Sequence, residues 1–560
     1  MKRTISILLC LMLVLSLAAP VFADGGYTIT INNTKDGHVY EAYQIFTGIL
    51  SGEAASDEVD GTSAILSNVQ WGASVTNASA LDKAADVAEK LANGDMTVDE
   101  LLDMVTLSAT AYKTSTDKGD YYLIEGLDAG YYLVKDKDET LDGVEDDAYT
   151  DFILEVVEDS VVSPKSSWPS VDKNIVEGED KVDVNEAGIG EVVKYEITGT
   201  LPSNIADYAE YFYKFTDTLS KGLTYNNDMK VTVGGVDVTT YFYKNVTEYD
   251  ETDGTTITVA IQDLLALELL GSIDEITKDT KIVLTYSATV NKNAVVNGAN
   301  ENKVDLEYSN NPNDSDNGTP DTPSENPGEP TTEKPTGKTP ESEVATYTTE
   351  IIINKVDGNR KPLNGAEFEI KSTTALKAVL VKTQVFTEDA AGDYWKLKDG
   401  TYTETAPVSD DPATDGVNED NTEYYESTTT KYSMTVQETE ETVSAEYAAK
   451  AFVDANGKLV FSDLPAGEYT ITETTTPEGY NTIDPFSLKI TFDAETKAFA
   501  YEWVGVAADA GNAASVTVVN QSGSTLPETG GVGTTLFYVF GSVMFIGAAV
   551  LLITKKRMAA

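Results

Sequence analysis

From Tyr27 to Asn520 the chain returns repeatedly to one pattern, short runs in which apolar and polar residues alternate, broken by Gly, Pro, Asn or Asp. Tyr27-Thr28-Ile29-Thr30-Ile31, Val192-Val193-Lys194-Tyr195-Glu196-Ile197 and Lys281-Ile282-Val283-Leu284-Thr285-Tyr286 are examples. A period of two sends successive side chains to opposite faces of a strand, so each run can line one side of a core. One interruption is helical. Residues 80–92 carry apolar side chains at helical spacing, and Thr97-Val98-Asp99-Glu100 reads as a capping box opening a second short helix. The pattern predicts an all-β protein of tandem sandwich domains, the first with a helical insertion.

The two ends are of another kind. Lys2 and Arg3 precede an apolar run from Ile5 to Leu17, and Val21-Phe22-Ala23 offers small residues at a cleavage site. This predicts a secretory signal peptide over residues 1–23. At the other end, Val532 to Ile553 is uncharged and long enough to span a hydrocarbon core, and Lys555, Lys556 and Arg557 follow as a cytoplasmic flank. Leu526-Pro527-Glu528-Thr529-Gly530 stands just before it. Pentapeptide, apolar segment and basic end, in that order, resemble the cell-wall sorting signal of Gram-positive surface proteins. The resemblance implies that a sortase cuts between Thr529 and Gly530 and passes the Thr529 carbonyl to an amine. Localisation would be secreted and wall-anchored, with transient membrane retention before sorting.

What lies between is long enough for three domains. Its composition removes several functions. The only cysteine, Cys10, lies in the signal peptide, so an extracellular chain of this length has no disulfide to toughen it. Net charge is −54, and five positive charges sit in the terminal segments, leaving residues 24–529 at −59. Such a surface repels nucleic acid and anionic membranes. The single histidine, His38, cannot build a His-rich metal site or support much general-base chemistry. No cofactor, no metal and no enzymatic activity are expected.

Strand runs and turn residues divide the chain into an N-terminal domain (24–166), a middle domain (167–310), a Pro/Thr-rich linker (311–345), a C-terminal domain (346–521) and the sorting signal (522–560). Leu127-Asp128-Ala129-Gly130, followed by a strand ending at Asp136, parallels Leu464-Pro465-Ala466-Gly467 and the strand ending at Glu473. This internal repeat suggests one fold for the first and third domains. Residues 403–446 are acidic and polar. Asp411, Asp415, Gly416, Asn418 and Asp420 miss the register of a calcium-binding EF-hand, which leaves a solvated excursion.

The C-terminal domain resembles the B-type repeats of Gram-positive collagen adhesins and pilins. The likeness lies in Ile351-Ile352-Ile353-Asn354-Lys355-Val356-Asp357, Leu363-Asn364-Gly365-Ala366-Glu367-Phe368, Tyr469-Thr470-Ile471-Thr472-Glu473, Pro477-Glu478-Gly479-Tyr480 and Val516-Thr517-Val518-Val519-Asn520. It implies an immunoglobulin-like sandwich with a spontaneous isopeptide bond from Lys355 to Asn520, assisted by the acid Glu473. The middle domain resembles the companion A-type isopeptide domain through Val171-Asp172-Lys173-Asn174, Phe215-Thr216-Asp217-Thr218-Leu219 and Asn302-Lys303-Val304-Asp305-Leu306-Glu307-Tyr308. That implies Lys173 bonded to Asn302, with Asp217 as the acid and Asn300 as the competing asparagine. The N-terminal domain has Asp136 at the acid position and Lys35 near its first strand. Its last strand, Phe152 to Val157, holds no asparagine, and no bond is expected there.

Val162, Pro164 and Lys165, at the junction of the first two domains, match the core of the pilin motif carried by backbone pilins, with Ser163 in place of its tyrosine, Ser160 of its earlier valine and Val156 of its tryptophan. In that family the lysine attacks the acyl-enzyme formed on the next subunit. The whole resembles a sortase-assembled major pilin of the SpaA type. It implies sortases, identical subunits in a head-to-tail polymer, accessory pilins and peptidoglycan as partners, with a host ligand left open. The alternative is a monomeric wall-anchored adhesin.

Overall fold

The computed structural model describes residues 26–51, 65–93, 95–96, 98–141, 143–156, 159–164, 167–312, 323–331, 334–372, 377–407, 424–443, 448–505 and 513–523. The signal peptide, Thr97 of the capping box, Lys165, residues 408–423 and 444–446 of the acidic excursion and Leu526 to Gly530 lie outside them. Strands dominate, and the chain divides into two compact units, residues 1–347 and 348–560. Among the described residues no helix is long and apolar enough to cross a membrane.

In the N-terminal domain, β1 (Tyr27–Ile31), β2 (Tyr40–Ser51) and β3 (Ile65–Trp71) precede two short helices, α1 (Ala84–Ala92) and α2 (Val98–Met104). Then come β4 (Tyr122–Leu127), β5 (Gly130–Asp136), β6 (Asp151–Val156) and β7 (Ser160–Val162). The first strand β1 lies between β4, antiparallel, and β7, parallel, while β2, β3, β5 and β6 form the facing sheet. Ile29, Ile31, Ile124, Leu127, Tyr132 and Val134, the inward phase of the alternation, meet in its core. The helices bury Val87 and Leu101 against Tyr43, Ile45 and Phe46 on the outer side of β2. That explains why the apolar spacing switches from two to about 3.6 over this one segment.

The middle domain is a larger sandwich. Its elements used below are β8 (Val171–Glu177), β9 (Val192–Gly199), β10 (Tyr213–Leu219), β11 (Thr255–Ile261), β12 (Ile282–Val290) and β13 (Asn300–Ser309). Strands β8, β9 and β12 belong to one sheet, β10, β11 and β13 to the other. The stretch read from composition as a linker differs at its C-terminal end. Residues 336–338 (β14) and 342–347 (β15) pair antiparallel with β13 and complete the middle sheet. The Pro and Thr content hid two short strands whose edge of β13 was already waiting for a partner.

In the second unit, β16 (Thr349–Asp357), β17 (Glu367–Ser372), β18 (Ala378–Glu388), β19 (Tyr432–Thr442), β20 (Lys458–Leu464), β21 (Gly467–Thr475), β22 (Phe486–Asp493), β23 (Ala498–Val504) and β24 (Ser515–Asn520) form two sheets. As in the N-terminal domain, the first strand β16 sits between an antiparallel neighbour, β20, and the last strand β24, parallel to it. The antiparallel partner of each first strand carries one extra residue at the same point, opposite Tyr27–Ile29 and opposite Thr349–Ile351. The repeat seen in the sequence is therefore a repeat of topology, down to a bulge.

Candidate isopeptide sites and family

Lys173 sits on β8 opposite Ile197, Asp217 on β10 between Ile257 and Val304, and Asn302 on β13 between Leu219 and Val344. Each alternation turns the residue inward, so three polar side chains from two sheets converge between Tyr195 and Tyr286. Lys173, Asp217 and Asn302 are at most 1% exposed. The Lys173 Nζ donates to Asp217 Oδ2 and, at 3.0 Å, to the Tyr286 hydroxyl. Tyr286 donates to Asp217 Oδ1 at 2.7 Å and accepts from Asn302 Nδ2 at 2.7 Å. The rings of Tyr195 and Tyr286 lie 5.4 and 5.3 Å from the ammonium nitrogen.

Burial of this kind disfavours charge. Desolvation pulls the Lys173 amine down from its usual 10.5 to about 8, against the opposing pull of Asp217. Desolvation also pushes the Asp217 carboxyl up, although Lys173 and Tyr286 work against it. Both shifts favour the pair in which the amine is neutral and the acid holds a proton. Asn302 Oδ1 is buried with no hydrogen-bond partner, so its carbonyl is available to a donor such as a protonated Asp217. Asn300 is engaged elsewhere. Its Oδ1 accepts from the Val295 amide at 2.8 Å, and its Nδ2 donates to the carbonyls of Thr346 at 3.1 Å and Val295 at 3.3 Å.

The C-terminal site has another geometry. Lys355 on β16 and Asn520 on β24 stand on neighbouring parallel strands of one sheet, in register with Val518 and Asp357 respectively. Glu473 reaches them from β21 in the facing sheet. Lys355 Nζ donates to Asn520 Oδ1, and lies 3.7 Å from Glu473 Oε1. Asn520 Nδ2 donates to Glu473 Oε1 at 2.8 Å, and the Ile483 amide donates to Glu473 Oε2 at 3.1 Å. Lys355 and Asn520 are fully buried and Glu473 is 3% exposed. Desolvation again lowers the lysine, to about 8.

Sequence reasoning did not single out Tyr286 or Ile483. Tyr286 closes the inward phase Ile282, Leu284, Tyr286 of its strand, a signal the alternation carried; the Ile483 amide is a backbone group in a turn and left no trace in side-chain patterns. In the N-terminal domain Asp136 is buried where Glu473 lies in the repeat, but Lys35 points away from it and covers the Trp168 ring, its Nζ 3.7 Å from the ring centre. Among the described residues no group of acids and histidines is arranged to hold a metal ion.

Tandem sandwiches with a buried Lys, acid and Asn in two of three define a class of extracellular β protein. Comparison with known proteins makes it narrower. Residues 189–312 match the Gram-positive pilin backbone subunit 2, Cna-B-like domain, residues 426–505 the SpaA prealbumin-like fold domain, and residues 518–559 the LPXTG cell-wall anchor motif. The chain thus carries a Gram-positive pilin-backbone domain, a SpaA prealbumin-like domain and a cell-wall anchor motif. It is 27% identical over 411 residues, 70% of each chain, to the trypsin-resistant surface T6 protein of Streptococcus pyogenes. Similar solved structures include the T6 backbone pilin of that species (15% identity, 90% of this chain and 100% of that one, TM-score 0.46). Another is the major pilin SpaD of Corynebacterium diphtheriae (15%, 89% and 98%, TM-score 0.39).

Proposed function

We propose that this chain is the shaft subunit of a covalent pilus, toughened by internal Lys173–Asn302 and Lys355–Asn520 isopeptide bonds. The observation that carries the reading is the pair of dry Lys–acid–Asn clusters. In each, the neutral amine attacks the Asn Cγ, the neighbouring acid, Asp217 or Glu473, assists by moving protons, and a C–N bond to the lysine replaces the C–NH2 bond as ammonia leaves. Asn302, with its unpartnered oxygen, is the acceptor in the middle domain rather than Asn300.

In the polymer, a sortase cleaves Leu526-Pro527-Glu528-Thr529-Gly530 after Thr529 and joins that carbonyl to Lys165 of a neighbouring subunit. The contact is heterologous and head to tail, which gives an open fibre. The last subunit passes to peptidoglycan, and accessory pilins and any host ligand attach to this frame. Tension then enters at Lys165 and leaves at Thr529. It crosses the middle and C-terminal domains, which both hold a Lys–Asn pair, and bypasses the N-terminal domain, which holds none.

Intact-mass measurement tests the internal bonds. Each should remove one ammonia, about 17 Da, from the mass of the unmodified chain; no loss refutes them. Lys165→Ala tests the shaft. Loss of the high-molecular-weight ladder on denaturing gels supports it, whereas an unmutated protein that boils down to monomers supports a monomeric adhesin instead.

A further inference from the structure

The N-terminal domain lacks the covalent tie of its topological twin, and the residues that replace it are charged. Counting from the shared bulge, Asn33 stands where Lys355 does, and its Nδ2 donates to the Tyr40 hydroxyl at 2.8 Å. The acid Asp136 survives, and its partner is His38. The His38 Nδ1 lies 2.7 Å from Asp136 Oδ1 and its Nε2 lies 3.0 Å from Asp147 Oδ2. All three residues are at most 4% exposed. Tyr40 stacks on the imidazole at 5.3 Å, and Tyr122 presents an edge at 6.0 Å. The remaining oxygens are taken by their own surroundings. Asp136 Oδ2 accepts from the Thr150 amide at 2.9 Å and hydroxyl at 3.0 Å, and Asp147 Oδ1 accepts from the Ala148 amide at 2.9 Å. Two carboxylate acceptors flanking one ring call for both nitrogens as donors, hence an imidazolium.

Asp147 does not belong to the sandwich core. It lies in the segment 141–150, which is stitched along its length to the middle domain. The Gly143 amide donates to the Thr336 carbonyl at 2.6 Å, the Asp146 amide to Lys338 at 3.0 Å and the Tyr149 amide to Asn310 at 2.8 Å. In return the Lys338 amide donates to Val144 at 3.2 Å, the Tyr308 hydroxyl to the Asp147 carbonyl at 3.2 Å, and Asn310 Nδ2 to the Leu141 carbonyl at 2.9 Å. Their partners Tyr308 and Thr336–Lys338 lie on β13 and β14, and β13 also carries Asn302.

We infer that His38 is an ionic rivet, tying the core acid Asp136 of the N-terminal domain to Asp147 of a strap that is itself sewn to the middle domain, so that the two domains open and unfold as one body. The rivet does by charge what the neighbouring domains arrange with Lys and Asn. An ion pair with both carboxylates buried holds only while all three groups are present, since removing one leaves the others uncompensated. The strap then keeps on the N-terminal side the bonds of its last residue, Thr150, to Asp136, while its backbone bonds to the middle domain remain.

Hydrogen–deuterium exchange read by mass spectrometry on the full chain at neutral pH decides it. In His38→Gln, amides in 143–149 and in 336–338 should exchange at least about tenfold faster, with residues 349–493 unchanged. If His38→Gln leaves the N-terminal domain unfolded, Asp147→Asn decides instead, because it keeps the side-chain shape and the His38–Asp136 contact. Faster exchange at 336–338 in Asp147→Asn supports the rivet. Unchanged exchange there, even with residues 26–136 loosened, overturns it and leaves His38 as a local core residue.

Discussion

Asp463 and Gly126 occupy the same backbone position in two different domains. Each is the extra residue of the bulge opposite the first strand, one before Leu464 or Leu127, and each is left-handed, with φ of 59° and 71°. Glycine takes that conformation without strain, whereas an L side chain there is held at a cost. Asp463 bears a second penalty, because it is fully buried and neither carboxylate oxygen has a hydrogen-bond partner.

Asp463→Gly is therefore expected to stabilise the C-terminal domain by about 1 kcal/mol, after allowing for the greater freedom of glycine in the unfolded chain. Burial raises the Asp463 carboxyl to about 6, with Ser462 and Lys382 opposing and Glu350 and Glu438 assisting. An acid raised in the folded state contributes its stability below the ordinary carboxylate value, and loses it as pH rises through 6. The advantage of the glycine variant in thermal midpoint should thus grow between pH 4 and pH 7. A gap that is flat or shrinks over this range would sink the assignment.

The acids of the two clusters should control bond formation. Asp217→Ala and Glu473→Ala are each expected to add about 17 Da to the intact mass beyond the substitution itself, one retained ammonia. In the middle domain, Lys173 to Asn302 would close a loop of about 130 residues, and its loss should lower stability by about 5 kcal/mol on the chain-entropy model. Denaturant titration of each variant beside the unmutated protein measures it.

Tyr286 bridges Lys173, Asp217 and Asn302 of the middle cluster through one hydroxyl. Tyr286→Phe keeps the ring and removes the bridge. Bond formation after refolding should slow about 10- to 100-fold, followed by mass against time, while the bond once formed remains. Conversion at the unmutated rate would reduce Tyr286 to a packing residue.

His38 makes the N-terminal domain sensitive to alkali. Burial works to lower its pKa, but the hydrogen bonds and charges of Asp136 and Asp147 outweigh this and raise it to about 9. Because that lies above its ordinary 6.5, the contribution to stability is complete below pH 6.5 and disappears as pH rises through 9. The other titratable neighbours, Tyr40 and Tyr122, are pushed up by burial and keep their protons over this range. The thermal midpoint followed through Trp71 fluorescence should fall from pH 6.5 to 10, and much less in His38→Gln.

Much of this molecule was open to inspection residue by residue. Alternation placed the strands, the change of period at residues 80–92 marked the helices, and the family spacing of Lys355, Glu473 and Asn520 put three residues from distant parts of the chain together. The shared turn around Leu127 and Leu464 announced that two domains follow one topology. These features are local or periodic, and a strand's two faces follow from covalent geometry alone. Tertiary structure decided the rest. That Asn302 and not Asn300 joins the Lys173–Asp217–Tyr286 cluster depends on which groups surround each amide. The strands at 336–347 exist because β13 offered an open edge, which no local propensity records. His38 meets Asp147 across 109 residues of sequence because a strap from one domain is sewn to another. Long-range pairing of buried charges is set by the packing of whole sheets, and a linear pattern of residues does not contain it.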